Sequence, residues 1–443
     1  MANRYIPDVC VEEDQSERFT EVRGLHESNR KRDLNLEFTG EGSGHRLNII
    51  TDSPDLIRHF GRDRSAWVDI NLDLLLRYIW EFRKDFESEV VSYRPHKDRI
   101  FDECWDLSAS THHLDKLLPK MAKLGYKLFI QIFAASGPSE NKTLAKKLQE
   151  AMRKRPLNVR ITSDSFFVPW SLLYAGDDPD TAGPIQREHF WGYQHWLEHT
   201  PPGQRVDHVC DLLPVRIGVQ FDQKIDREFK VACLAPVLGL LQKIPQGRLE
   251  AIRRPLRADF EKAVRSGPRD EHILYFCCHA THQGDLPQQR PYIVLSDIPR
   301  NAMPNWITPD DISIWLGLNE FTNRPLVFLN ACGVTQISSS FYRNFARAFL
   351  HGSACSVIGP QVAVPAVFAG EFARAFFKEF LQGGPNNAVG EIIRRLRRHF
   401  LDNHGNPLGL IYGLYRGSDV FLRNSIWGRT EATACPPRLP SST

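Results

Sequence analysis

Two short segments, Leu274-Tyr-Phe-Cys-Cys-His279 and Leu326-Val-Phe-Leu-Asn-Ala-Cys332, decide how this chain folds. Each is a continuous apolar run that ends in a reactive side chain, a histidine in the first and a cysteine in the second. Apolar runs of this length are typical of strands that are buried on both faces, as in a parallel sheet. Sites in open α/β sheets form just past the carboxyl ends of such strands. The two segments therefore predict a nucleophile and its base, Cys332 and His279, at one edge of a sheet.

The order of the two residues along the chain favours one class of cysteine peptidase over another. His279 precedes Cys332 by 53 residues, and a histidine roughly 50 residues upstream of the cysteine is the caspase order. Papain-type enzymes have the cysteine first and are disfavoured. Gly333 follows Cys332 and favours a tight turn, on which the backbone N–H of the cysteine can face a substrate carbonyl. We interpret the pair as that of a cysteine peptidase.

The C-terminal half shows regular alternation of strand and helix patterns. Strands are predicted at 215–221, 273–278, 292–295, 325–331, 354–359 and 410–414, and the segments between them, including 225–242 and 249–266, have helical spacing. Strands separated by helices predict a mostly parallel sheet with helices on both faces. The predicted fold class is therefore α/β.

The N-terminal half is a mixed α/β region by the same criteria. Residues 1–44 are polar and are expected to form a loose arm, with a strand near Ile49. Helices are predicted at 69–86, 114–124 and 141–155, and strands at 126–134 and 157–162. Thr200-Pro-Pro-Gly203 is a linker signal. We predict four regions: an N-terminal, regulatory or partner-binding region (1–110), two parts of the folded unit (111–205 and 206–428) and a disordered tail (429–443).

Composition excludes several classes of protein. The chain has 443 residues, 42% hydrophobic and 25% charged, which is ordinary for a soluble globular protein. Its 56 basic and 53 acidic residues nearly balance, so neither a nucleic-acid nor a membrane partner is expected. The nine cysteines are sparse and odd in number, which is typical of reduced thiols. No apolar leader or run of roughly 18 apolar residues is present, and a cytoplasmic location is expected.

The sequence disfavours four other kinds of site. The segment from Cys277 to His282 has closely spaced Cys and His residues, but no second Cys/His pair follows, so no metal or other cofactor is predicted. The Gly-x-Ser-x-Gly elbow of serine hydrolases and a Walker-type loop are both missing from the sequence. The basic helix at 141–155 has no interleaved aromatic residues and is interpreted as a solvated face.

Several segments, in order, resemble the CHAT-domain peptidases, relatives of caspases and separase. The Val168–Leu173 segment is similar to the family's Pro-Trp-Glu-Leu-Leu motif, with Ser171 in place of Glu. Further matches are Tyr275–His279, 293–296, 307–312, Val327–Cys332, 352–364 and 369–381. No single motif is specific to the family. The ordered set of motifs is specific, and it extends over roughly 110–425. The resemblance implies a caspase-like, mostly parallel sheet flanked by helices and preceded by a mixed α/β, pseudo-caspase-like region.

The resemblance also implies a mechanism. Cys332 would attack the scissile carbonyl as a thiolate, and His279 would act as general acid and base. The backbone N–H groups of Cys332 and Ala280 would bind the oxyanion, each donor contributing ~3 kcal/mol. The family commonly has glycine where this chain has Ala280. Asp285 and Asp297 are candidates for binding a basic substrate side chain at the position just before the scissile bond.

The predicted function is that of a caspase-like endopeptidase that cleaves specific protein substrates after a partner or signal activates it. Family members of this kind work in bacterial anti-phage defence or programmed cell death, where a gasdermin or a CRISPR-associated protein is cut. The expected activator is an upstream sensor protein acting in trans. The alternative, from another class, is a catalytically silent CHAT-fold scaffold that binds a partner.

Overall fold

One sheet runs through both halves of the chain. A computed structural model describes residues 32–41, 44–62, 64–95, 98–134, 139–164, 167–181, 183–202, 209–210, 213–283, 290–296, 306–333 and 339–427. The strands are β1 (Leu34–Glu41), β2 (Gly44–Ile50), β3 (Ser65–Val68), β4 (Asn158–Thr162), β5 (Trp196–Thr200), β6 (Val209–Cys210), β7 (Val215–Phe221), β8 (Leu249–Arg254), β9 (Ile273–Gln283), β10 (Arg290–Val294), β11 (Leu326–Gly333), β12 (Ser356–Pro360), β13 (Tyr412–Tyr415) and β14 (Phe421–Leu422).

The helices cover the two faces of this sheet. They are α1 (Pro54–Phe60), α2 (Leu72–Phe86), α3 (Ile100–Glu103), α4 (Leu114–Phe133), α5 (Ser139–Lys154), α6 (Trp191–Gln194), α7 (Ile225–Phe229), α8 (Ala235–Leu241), α9 (Arg257–Ser266), α10 (Pro309–Leu316), α11 (Ser339–His351), α12 (Ala366–Phe380) and α13 (Val389–His404). In the described part of the chain, no helix has the length and apolarity needed to cross a membrane.

The strand order confirms the predicted α/β class. The 12-stranded sheet has the order β3-β2-β1-β4-β5-β13-β12-β11-β9-β7-β8, and β10 pairs with β9. The neighbours from β12 to β8 are all parallel, whereas β13 is antiparallel to β12 and parallel to β5. Because β13 comes from the end of the chain and β5 from the N-terminal half, the sheet continues across the predicted boundary near 205.

Strand β9 is buried on both faces, as the sequence predicts. Side chains alternate between two core clusters: Tyr275 and Cys277 lie in one, and Phe276 and Cys278 lie in the other. All four are fully buried. Burying a large apolar side chain contributes about 1.5–3 kcal/mol, so the two faces together fix the position of this strand in the sheet.

The strand predicted at 126–134 is wrong, because these residues complete helix α4. Leu128, Phe129, Ile132 and Phe133 are buried, whereas Tyr126 and the residues between these pairs are more exposed. That spacing of about 3.6 residues continues the apolar face of the preceding turns. The short apolar run by itself resembles a strand, and only its phase with the preceding helix shows that it is helical.

Three further predictions need correction. The helix predicted at 249–266 is strand β8 followed by α9, and Pro255 separates them because proline disrupts a helix interior. The helix predicted at 225–242 is two short helices, α7 and α8. The expected loose arm contains strand β1, which pairs with β2 and β4. The strand expected near Ile49 is confirmed as β2.

Candidate active site

The two predicted site residues lie on neighbouring strands. Strands β9 and β11 are parallel, and their register pairs Ile273 with Leu326 at one end and His279 with Cys332 at the other. The two strands are therefore in register from their first paired residues to His279 and Cys332. The backbones at His279 and Cys332 are held side by side by the strand pairing itself.

The sequence suggested that this strand ends at His279, but β9 is longer. It continues to Gln283, because β10 folds back on it in an antiparallel pair that begins at His279 and Val294. Ala280 lies within this extension, paired with Ile293 on one side and Gly333 on the other. The oxyanion role of Ala280 and Cys332 stays a prediction.

The imidazole of His279 faces two carboxylates. Its Nε2 lies 2.9 Å from Oε2 of Glu228 and 3.6 Å from Oδ2 of Asp222. The side chains of His279 and Asp222 are 7% and 8% exposed, and that of Glu228 is 34% exposed. A hydrogen bond to an ionised group is stronger than a neutral one. Glu228 therefore fixes the orientation of the ring, with Asp222 adding negative charge beside it.

Asp222 is held in place by three elements of the fold. It follows the last residue of β7, and its backbone N–H donates to the carbonyl of Cys277 at 3.1 Å. Its Oδ1 accepts from the backbone N–H of Lys224 at 2.9 Å and from the hydroxyl of Ser296 at 3.4 Å. Ser296 comes after β10, so Asp222 links the ends of β7 and β10 to the middle of β9.

Glu228 depends on a different carboxylate for its position. Helix α7, which carries Glu228, is followed by a turn in which Lys230 has a positive φ of 55°. Asp226 ties this turn to helix α8: its carboxylate accepts from the backbone N–H groups of Cys233 and Leu234 at 2.8 Å each, and from Ala235 at 3.1 Å. Asp226 therefore caps α8 from outside the helix and anchors α7 against it.

The same three side chains have the composition of a cation site. The ligand atoms of Asp222, Glu228 and His279 all lie within 4.8 Å of one another. Carboxylate oxygens and an imidazole nitrogen suit several divalent cations. The hydrogen bond between Glu228 and His279 satisfies the cluster equally well without an ion, so the geometry is that of an oriented histidine.

Cys277 and Cys278 are core residues, as the sequence analysis favoured. The Sγ atoms of Cys277 and Cys233 lie 3.5 Å apart in the buried interior. The hydrogen bond with Cys233, together with burial, raises the pKa of Cys277 well above its usual value, and burial raises that of Cys278. A thiol that stays protonated is a poor nucleophile. These two cysteines are therefore structural.

Two predicted residues lie outside the described part of the chain. Asp285 and Asp297, the candidates for recognising a basic substrate side chain, are both outside the described residues. Their role stays a prediction.

The sequence analysis missed Asp222, Glu228 and Asp226. Asp222 had a usable signal, because it directly follows the predicted buried strand 215–221, in the way that His279 follows its own run. Glu228 and Asp226 had none. Both look like ordinary acids of an amphipathic helix, and their partners are 51 and 7–9 residues away in sequence.

The family of the C-terminal half follows from a sequence model. Residues 240–406 match the family model described as CHAT domain. This segment is therefore similar to CHAT domains. The match confirms the resemblance predicted from the sequence, and it includes both His279 and Cys332. No curated protein matches the chain significantly.

Three solved structures show a distant similarity to this chain. Two structures of the Saccharomyces cerevisiae separase–securin complex match, one with 11% identity over 79% of this chain and 22% of that chain, at a TM-score of 0.35. The other has 10% identity over 88% of this chain and 30% of that chain, at a TM-score of 0.39. The Arg specific cysteine proteinase gingipain R matches with 11% identity over 66% of this chain and 71% of that chain, at a TM-score of 0.38. The chain thus spans less than a third of the separase chains.

Proposed function

We propose that this CHAT-domain protein is a cysteine endopeptidase with His279 and Cys332 as its catalytic dyad. The observation that carries the proposal is the strand register, which sets the backbone of Cys332 directly beside that of His279. The carboxylate of Glu228, 2.9 Å from the imidazole, adds the third element that a histidine base commonly has, a group that orients its ring.

The proposed reaction is acyl transfer in two stages. The thiol of Cys332 gives its proton to His279, and the sulfur attacks the scissile carbonyl. The C–N bond then breaks, and His279 returns the proton to the leaving amine. In the second stage His279 takes a proton from water, and the water oxygen attacks the thioester carbonyl. The C–S bond then breaks, His279 returns the proton to the sulfur, and the acid and the free thiol are released. Glu228 and Asp222 stabilise the imidazolium that forms in each stage.

The substrate in this proposal is a specific protein, cut after an upstream partner activates the enzyme. The proposed setting is bacterial anti-phage defence or programmed cell death in the cytoplasm, with a gasdermin or a CRISPR-associated protein as the substrate class. Its support is the family of residues 240–406. Comparing protein N-termini in cells that carry the wild type or Cys332→Ala would name the substrate.

The alternative is a silent CHAT-fold scaffold. A thiol-reactive peptide probe separates the two readings, because it labels only an activated thiol in a substrate-binding cleft. We expect labelling of the wild type and of Cys104→Ala, which removes an exposed free thiol, and none of Cys332→Ala. Equal labelling of Cys332→Ala, or none of the wild type even with cognate cell extract added, would support the scaffold.

A further inference from the structure

A cavity lies at the edge of the sheet opposite the dyad. It has a volume of about 1170 Å³. Its wall includes Leu213, which precedes β7, and Arg248, which precedes β8, so it opens at the amino ends of these strands. The dyad lies at the carboxyl ends. Lys243 after α8, and Arg374 and Lys378 on α12, complete its charged side.

The charge of this cavity has a single sign. Among the described residues, four cationic side chains and no acidic side chain line it. Arg374 is neutralised by Glu371, whose carboxylate accepts from its Nε at 2.7 Å and its Nη2 at 2.5 Å. Within the described residues, Lys243, Arg248 and Lys378 have no ion-pair partner. A cleft lined by one sign of charge concentrates the field and attracts ions of the opposite sign.

The opposite wall is apolar and aromatic. It contains Leu240, Leu213, which is 43% exposed, and Trp427. The indole Nε1 of Trp427 is buried and has no acceptor among the described residues. A buried N–H without an acceptor costs free energy. The wall therefore offers a ligand apolar and aromatic contact.

We propose that this cavity binds a small ligand carrying two or more phosphates. Lysine and arginine side chains are the usual partners of phosphate oxygens. Three cations without partners match a ligand with more than one negative charge. The cavity is as large as typical small-molecule sites, which measure roughly 300–1,000 Å³, so it accommodates a nucleoside triphosphate as well as a free oligophosphate.

The test measures binding by calorimetry on the full chain, with tripolyphosphate and ATP as probes. We expect saturable binding of both, weakened about tenfold or more in the Lys243→Gln/Lys378→Gln double variant, because two charge-assisted contacts are lost. Lys146→Gln, which changes an exposed lysine on α5, is the matched control and should bind like the wild type. Tighter binding of ATP than of tripolyphosphate, reduced in Trp427→Phe, identifies a nucleotide; equal affinities identify a free oligophosphate.

Three results would overturn the proposal. One is the absence of saturable binding of either probe in the millimolar range. The second is unchanged affinity in the double variant, or an equal loss in Lys146→Gln. The third is binding of a single-stranded oligonucleotide far tighter than that of ATP, which would indicate an extended nucleic-acid surface. Because calorimetry requires no cleavage, these outcomes are independent of whether the dyad is active.

Discussion

The two halves of the sheet each place a histidine on a buried parallel strand. His199 lies on β5, in the N-terminal half, and His279 lies on β9, in the C-terminal half. As whole residues, His199 and His279 are 2% and 5% exposed. His199 is the fourth of the 5 residues of β5, and His279 is the seventh of the 11 residues of β9. Both lie past the middle of their strand, so the position along the strand does not distinguish them.

The surroundings of the two rings differ. His199 Nε2 lies 3.1 Å from the carbonyl oxygen of Ser163, and its ring packs on Phe167 with centroids 4.4 Å apart. Burial lowers the pKa of His199 to about 4, so the ring is neutral at physiological pH. His279 instead has Glu228 and Asp222 at its Nε2. The comparison teaches that the loops after the strands, rather than the strands, decide which histidine can carry a proton during a reaction.

Exchanging each histidine for glutamine gives the largest expected difference between the halves. His279→Gln removes the general acid and base and should lower kcat/KM for the cleaved substrate by about 100-fold or more. His199→Gln should leave kcat/KM close to that of the wild type and lower the free energy of unfolding instead, by roughly 1–3 kcal/mol. Kinetics and urea unfolding on both variants are the measurements. Equal losses of activity in two folded variants would contradict the comparison.

Two carboxylates of α7 provide a matched test of how His279 is oriented. Glu228→Gln keeps the shape of the side chain but removes its charge, and it should lower kcat by roughly 100-fold, because the ring is no longer held in one orientation. Asp226→Asn should reduce the melting temperature, because three backbone N–H groups lose a charged acceptor. It should lower kcat less than Glu228→Gln does, because the carboxylate of Glu228 itself is kept. If Glu228→Asp does not recover part of the activity lost in Glu228→Gln, the orienting role is wrong.

The last prediction is a pH dependence of stability that belongs to the N-terminal half. Burial lowers the pKa of His195 to about 3 and that of His199 to about 4, from 6.5. Because the folded state disfavours protonation of both rings, their stabilisation is complete above pH 6.5 and is lost as pH falls through the folded values. Each contributes a slope of about 1.4 kcal/mol per pH unit between these limits.

Unfolding by urea between pH 6.5 and 4 measures this slope. His199→Gln should remove about half of it, and His351→Gln, which changes an exposed histidine of α11, should leave it unchanged. A slope in His199→Gln equal to that of the wild type would show that the buried ring is not the source.

Much of the C-terminal half could be predicted from the sequence, because its strands carry their own signal. The run from Leu274 to Cys278 is too short and too continuously apolar for an amphipathic helix, and the structure buries it on both faces. The segment 126–134 is also largely apolar, yet it is helical, since its phase matches that of the turns before it. Apolar runs of this length predict burial reliably and element type less well.

The sequence by itself determined the α/β class, the two strands that carry His279 and Cys332, and the CHAT resemblance, because each is written in consecutive residues. Only the tertiary structure decided which acids face His279. Asp222 comes from the end of β7, and Glu228 comes from a short helix whose position depends on Asp226 and α8. Contacts of this kind follow from how loops fold over the strand ends, and no local pattern of residue types encodes them. The level at which the two runs meet is likewise a property of the pairing of β9 with β11.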